Sequence, residues 1–426
     1  MAALLGAARR NWLINNPPET PKSAKPLVFG ILGAADIGPA AFILPAKSHP
    51  DVVLQTVAAR NPDKAKAYAQ KHGIPDVAKS YQDILDNPSI DGVYIPLPNG
   101  LHYEWAQRAL KAGKHVLLEK PSVNNTTEAE QLFLSPATTL IASPSNTPQP
   151  VLLEAAHYLF HPAWAAFMAH VTPSAVISAK TSLWAPRWTF GPEDIRYNFE
   201  LGGGAMMDLG AYTASALSRI FGAVAEECEA CDTGSAPSPA DPRCDRWYRA
   251  RYRFPGGGVG EMRGDLKAPL TKLTPEAHIT HRAVVVAAAE AGVKIKEGEE
   301  EVLRTRKIHF ANFVMPSYFH AITVDDEFAV RKIGAAADAP PRKKWRTKKT
   351  VKAYTWREAG VEGTEKQPGE PHWTSYRYQL EQFVNRARGR ATPQWVEGED
   401  SVVTMRMIDM AYEAAKLPLR PTSEYK

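Results

Sequence analysis

The chain has 426 residues, of which 44% are hydrophobic and 23% charged, and it carries a formal net charge of +5. That is enough chain for two domains with buried cores, and a charge this mild does not by itself require a nucleic-acid partner. No stretch approaches the roughly 18 to 20 uninterrupted apolar residues that span a bilayer, so no membrane partner is expected.

Residues 1–26 read as an N-terminal arm. In MAALLGAARRNWLINN the arginines follow the apolar block, the reverse of the order in a secretory signal. No acid precedes Glu19, so a mitochondrial presequence stands as the alternative to a flexible arm on a cytoplasmic protein.

From residue 27 to about 122, apolar runs alternate with polar helical segments. LVFGILGA, DVVLQTVAAR, DGVYIPLP and KHVLLEK read as strands that are apolar nearly throughout, as expected where both faces of a parallel sheet are covered. NPDKAKAYAQKHG and LHYEWAQRALKAG read as helices ending at glycine, with lysine in the last turn. The pattern predicts a doubly wound α/β domain over 27–150, closed by the Pro-, Ser- and Thr-rich loop 135–150.

Within GILGAADIG, the first strand passes into a glycine turn that opens a helix, the dinucleotide pattern G-x-G-x-x-G with alanine at its middle glycine. Gly33, Ala35, Asp36, Ile37 and Gly38 are therefore candidate cofactor residues, and the Ala35 methyl falls where backbone should approach pyrophosphate closely. The second strand ends TVAARN, offering Arg60 where an NAD-specific protein would offer an acid to the ribose. A guanidinium there, with Lys64 one helical turn on, suits the 2'-phosphate of NADP. HVLLEKPS then ends an apolar strand in Glu119 and Lys120, charges that a buried strand normally excludes.

Residues 151–426 read as a second α/β domain for substrate binding and association, with its C-terminal helices free to pack back on the first. Cys228, Cys231 and Cys244, few and odd in number, point to a reducing compartment, and the lone CxxC has no second pair, so no metal is expected there. DRWYRARYRF alternates as a half-buried strand before the turn PGGG, while 270–306 fits neither period. The basic run PPRKKWRTKKTVK reads as a solvated hairpin whose lysines blunt a sheet edge. WTSYRYQLEQFVNRARG and DSVVTMRMIDMAYEAAK read as amphipathic helices.

Taken in order, GILGAADIG, VAARN, YIPLPNGLHYEWAQRALKAGKHVLLEKPS, LLEAAHYLFHP and GGGAMMDLGAY resemble the glucose-fructose oxidoreductase and inositol dehydrogenase (Gfo/Idh/MocA) family. The likeness covers about residues 27 to 420 and is nearest to the fungal NADP-dependent D-xylose dehydrogenase and dimeric dihydrodiol dehydrogenase branch. It implies a Rossmann domain, a second domain built on an open, mainly antiparallel sheet, a site between them, and a homodimer paired through that open sheet. By this resemblance Lys120 clamps the substrate, Tyr212 serves as acid/base and Asp208 orients them, the first two roles being exchangeable. Pro121 fixes the backbone beside Lys120. Leu97, Asn99 and His102 fall near the cofactor, Glu119 near its ribose or nicotinamide, and His157 near the substrate. Leu159 stands where close relatives carry arginine before FHP, which leaves the substrate open. The implied activity is NADP-dependent hydride transfer at a carbinol of a sugar or cyclic diol. Two alternatives keep the fold and the oxidoreductase chemistry: action on a specialised-metabolite carbonyl, or sugar-sugar exchange with NADP that never dissociates. A third is a non-enzymatic NADP-binding regulator.

Overall fold

The computed structural model describes residues 2–135, 149–235, 241–272, 274–336 and 339–425, so most of the loop expected at 135–150 lies outside it. Two sheets organise the chain. The first holds β1 (Leu27–Leu32), β2 (Val52–Ala58), β3 (Asp76–Val77), β4 (Gly92–Ile95), β5 (His115–Leu118) and β6 (Leu152–Glu154). All its pairs are parallel, in the order β3-β2-β1-β4-β5-β6. Strand order reverses between β1 and β4, so a crevice opens at their carboxyl ends, the usual ligand position in such a sheet. β4 is buried at every residue, the physical reason its sequence is apolar without alternation. The helix Pro62–His72 starts where the Asn61 side chain accepts from the amides of Asp63 and Lys64, and it stops at left-handed Gly73.

The second sheet holds β7 (Val176–Pro186), β8 (Glu227–Ser235), β9 (Asp245–Phe254), β10 (Gly258–Ala268), β11 (Glu276–His281), β12 (Val284–Val286), β13 (Glu300–Ala311), β14 (Ala321–Lys332) and β15 (Lys343–Val351). Its order is β15-β14-β13-β11-β7-β10-β9-β8, with β12 on β13; β7 and β10 run parallel and the other pairs antiparallel. Burial alternates strictly along β10, because one face packs on the helices Ala205–Asp208 and Gly210–Phe221 while the other faces outward.

Three stretches differ from their sequence reading. Residues 270–306 resolve into β11, β12 and the start of β13; six- and three-residue strands are too short to establish a period. The basic run is not the hairpin but the edge strand β15 itself, whose lysines and arginine pair with acids of β14, as Lys344 does with Glu327 and Arg346 with Asp325. The expected flexible arm is a helix, Ala2–Asn15, anchored by Ile14, which is 5% exposed, and by Arg10, which lies 3.9 Å over the Tyr354 ring. Arg10 also donates to the carbonyls of Ser317 and Tyr318. Among the described residues, no helix is long and apolar enough to cross a membrane.

Candidate active site

The glycine turn lies at the carboxyl end of β1. Gly33 has φ +118°, and a Cβ on it would lie 3.1 Å from Leu97 Cδ2, so Leu97, from the loop after β4, packs directly on bare backbone. A Cβ on Gly38 would collide with the Tyr68 hydroxyl, which donates to the Ala35 carbonyl at 3.1 Å. Ala35 is half-buried, whereas Asp36 and Ile37 are exposed. Arg60 and Lys64 are both exposed just past the end of β2. Bare backbone beside two free-standing cations fits a dinucleotide that carries an extra phosphate.

At the carboxyl end of β5, Lys120 Nζ donates to Asp208 Oδ1 at 2.7 Å and to the Asp208 carbonyl at 3.0 Å. It also sits 4.7 Å over the Tyr212 ring. The second carboxylate oxygen of Asp208 accepts from Arg196 Nε at 2.8 Å. Burial alone would raise the Asp208 pKa, but Arg196 and Lys120 outweigh it and hold the carboxyl well below its ordinary range. Asp208 and Tyr212 share a face because the helices Ala205–Asp208 and Gly210–Phe221 follow one another through helical Leu209. Gly204 starts this run at φ +133°, where a Cβ would strike the buried cluster of Arg420, Asp245 and Tyr412.

Behind the phenol lies a polar chain. Tyr212 Oη is 3.0 Å from His157 Nε2, and His157 Nδ1 is 2.7 Å from Ser375 Oγ. Tyr376 stacks on the imidazole at 3.9 Å between centroids and hydrogen-bonds with Tyr212. Burial, assisted by Lys120, lowers the His157 pKa to about 3, so the ring is neutral. Burial, then Tyr376, Glu119 and Asp208, push the Tyr212 pKa well above 10, so the phenol keeps its proton. The lowering that a neighbouring lysine should bring is outweighed in this arrangement.

The remaining sequence candidates take different places. Glu119 is buried, accepts from Tyr94 Oη at 2.8 Å and from the Lys120 amide at 3.2 Å, and has its pKa raised by burial. Asn99 donates to the Gly202 carbonyl at 2.9 Å, tying the cofactor crevice to the segment that carries Arg196. His102 is fully buried, with its ring nitrogens 2.7 Å from the Leu97 carbonyl and 2.8 Å from that of Pro121. Two acceptors favour an imidazolium, but burial prevails and lowers the pKa to about 4. His102 therefore braces the loops after β4 and β5 from behind. Leu159 is buried in the turn His157–Phe160, part of the core. Sequence reasoning missed Tyr94, Arg196, Ser375 and the site role of Tyr376; Tyr376 lay on an amphipathic stripe, whose ordinary meaning is core. Cys228 and Cys231 lie half-buried in β8 with thiol pKa values raised by burial, and both are unbridged.

Residues 27–137 match the model of the Gfo/Idh/MocA oxidoreductase family with an NAD-binding Rossmann fold. Over that stretch the chain is similar to that family. It is 36% identical over 219 residues to D-xylose 1-dehydrogenase (NADP(+)) 2 of Haloferax volcanii, covering 51% of this chain and 64% of that enzyme. Over 208 residues it is 35% identical to dTDP-3,4-didehydro-2,6-dideoxy-α-D-glucose 3-reductase of Actinomadura kijaniata, covering 48% of this chain and 59% of the other. The trans-1,2-dihydrobenzene-1,2-diol dehydrogenase of Xenopus tropicalis is 31% identical over 182 residues, 42% of this chain and half of that one. The matches thus span between half and two-thirds of these relatives' own length. Among solved structures, the 3-ketoreductase from Actinomadura kijaniata in complex with NADP and TDP-benzene superposes with TM-score 0.62 at 19% identity, over 92% of this chain and 98% of that one. Levoglucosan dehydrogenase gives 0.63 at 19% identity over the same shares. These likenesses establish the fold: a parallel Rossmann-type sheet followed by a mostly antiparallel one.

Proposed function

We propose that this protein is an NADP-dependent oxidoreductase acting at a carbinol or carbonyl carbon of a sugar or cyclic diol, with a D-xylose-like aldose as the first candidate substrate. The observation that carries the reading is the Lys120–Asp208–Tyr212–His157 cluster at the carboxyl end of β5, in the same crevice as the glycine turn. Arg60 and Lys64 supply the preference for NADP, through charge-assisted contacts with the 2'-phosphate. The NADP-dependent xylose dehydrogenase among the relatives agrees with that preference.

A bound nicotinamide would supply or accept the hydride. Lys120, held by Asp208, directs its ammonium at the substrate oxygen and stabilises negative charge developing there. Tyr212 holds the proton at Oη, and the His157–Ser375 chain behind it offers a path by which that proton is replaced. Because Tyr212 is held protonated, the site is poised to donate to an oxyanion. That observation favours a second reading in the same chemistry, reduction of a keto group on a specialised sugar, the reaction type named for the Actinomadura relative. Glycine turn, Arg60 and Lys120 together argue against a purely regulatory dinucleotide binder.

The test is turnover of NADP or NADPH with a panel of aldoses, cyclic diols and keto-sugars. Conversion of any of these would support the reading, and silence across the panel in both directions would overturn it. The same reading carries a cytoplasmic homodimer paired through the outward face of the second sheet. Light scattering giving the mass of one chain would contradict the dimer.

A further inference from the structure

The outward face of the second sheet carries a group of side chains unrelated to the reaction. His278 on β11 and His309 on β13 are direct register partners, and Glu276 lies two residues before His278, on the same face of β11. Their imidazoles stack nearly parallel, 4.3 Å between centroids and 10° between planes. Both turn Nε2 to one carboxylate: His278 is 3.4 Å from Glu276 Oε2, and His309 is 3.2 Å from Oε1. The three possible ligand atoms lie within 4.8 Å of one another.

Two features separate this from a chance surface ion pair. The convergence is threefold, and the strand ladder fixes it: Ala277 pairs with Phe310 and Ile279 with Ile308 in the buried layer beneath, so the histidines cannot slip apart. Electrostatics also leave room for a cation. The Glu276 carboxylate makes its ion-pair contacts with the two imidazoles. Lys180, the register partner of His278 on β7, reaches Glu276 with its charge but pairs with Glu261 at 3.9 Å.

We propose that Glu276, His278 and His309 form a binding site for a divalent transition ion of the zinc class, with two imidazole nitrogens and one carboxylate oxygen as ligands. Tetrahedral coordination at about 2.0–2.2 Å per bond brings such ligand atoms to roughly 3.3 Å apart, a small closure for side chains between a third and a half exposed. Three protein ligands leave a further position, to be filled by water or by a group from a second copy laid on the same face. The ion would clip β11 to β13 across the solvent side of their ladder. It lies on the face of the sheet opposite to the one packed on the Tyr212 helix, so it is separate from the reaction chemistry.

The experiment is calorimetric titration of Zn2+ into chelator-stripped full-length protein near pH 7.5. Wild type is expected to bind one ion per chain. His278→Asn and His309→Asn are each expected to weaken binding at least about tenfold, and a Cys228→Ser/Cys231→Ser variant to bind as wild type does. Co2+ in place of Zn2+ should give a visible absorption band of tetrahedral type that both histidine variants lose. Failure of wild type to bind Zn2+ below about 1 mM, or histidine variants binding as tightly as wild type, would overturn the proposal. Sugar turnover unchanged in both histidine variants would agree with a site outside the reaction machinery.

Discussion

The two ends of the proposed site, a cofactor end and a reaction end, are built on opposite principles. The cofactor end is a short contiguous stretch, Gly33 to Lys64, whose cations stand in solvent and whose glycines leave backbone bare. At the reaction end the polar groups come from β5, the turn after β6, the Tyr212 helix and the helix Ser375–Ala387, and they are nearly all buried. Exposed charges can be judged one at a time. In the buried cluster each group's protonation depends on its neighbours, so the network acts as a unit.

The sharpest way to break that contrast is to remove the reacting groups. Tyr212→Phe and Lys120→Met should each lower kcat by about 10²- to 10⁴-fold, the range of a positioned proton donor or charge. NADP affinity, set at the other end, should stay within about threefold. Fluorescence titration beside steady-state kinetics reads both quantities, and equal losses of binding and turnover would mean that the two ends are not separable.

A smaller effect is expected where the charge is solvated. Arg60→Ala should weaken NADP about 10- to 100-fold, the value of a charge-assisted contact to phosphate, while NAD binding hardly changes. If wild type binds the two cofactors equally, Arg60 does not read the 2'-phosphate.

The contrast also explains what the sequence could reveal. The glycine turn, β2 and Arg60 are local in the chain, and the parallel strands are apolar enough to be recognised by composition alone. Lys120 betrayed itself as a charge ending an apolar run. Asp208 and Tyr212 followed from the family resemblance, and their four-residue separation agrees with one face of a helix. Arg196, by contrast, lies in the single 3-10 turn Ile195–Tyr197, too short for a period to mark its direction. Ser375 and Tyr376 look like the start of a core helix, and only the packing of that helix on the turn His157–Phe160 brings them to the site. The sheet topology was legible as a class rather than strand by strand, since β11 and β12 are too short to carry a signal.

The smallest effect tests burial itself. His157 is fully buried, and its pKa falls from 6.5 to about 3 on folding. Below pH 6.5 the unfolded chain therefore binds a proton that the folded chain refuses, so stability is present above 6.5 and is lost as pH falls towards 3. Between pH 7 and 5 this one group should remove about 2 kcal/mol. His157→Gln, which cannot titrate, should be less stable than wild type at pH 7 by about 1–2 kcal/mol through its disturbed contacts with Tyr212 and Ser375. The gap should close by pH 5, because only wild type bears the acid penalty; urea unfolding followed by circular dichroism at both pH values measures it. Arg60→Ala should leave the pH dependence of stability unchanged, since its charge is exposed in the folded protein. A gap between wild type and His157→Gln that stays constant from pH 7 to 5 would mean that His157 is solvated enough to titrate normally, and that the reaction end is wetter than its packing implies.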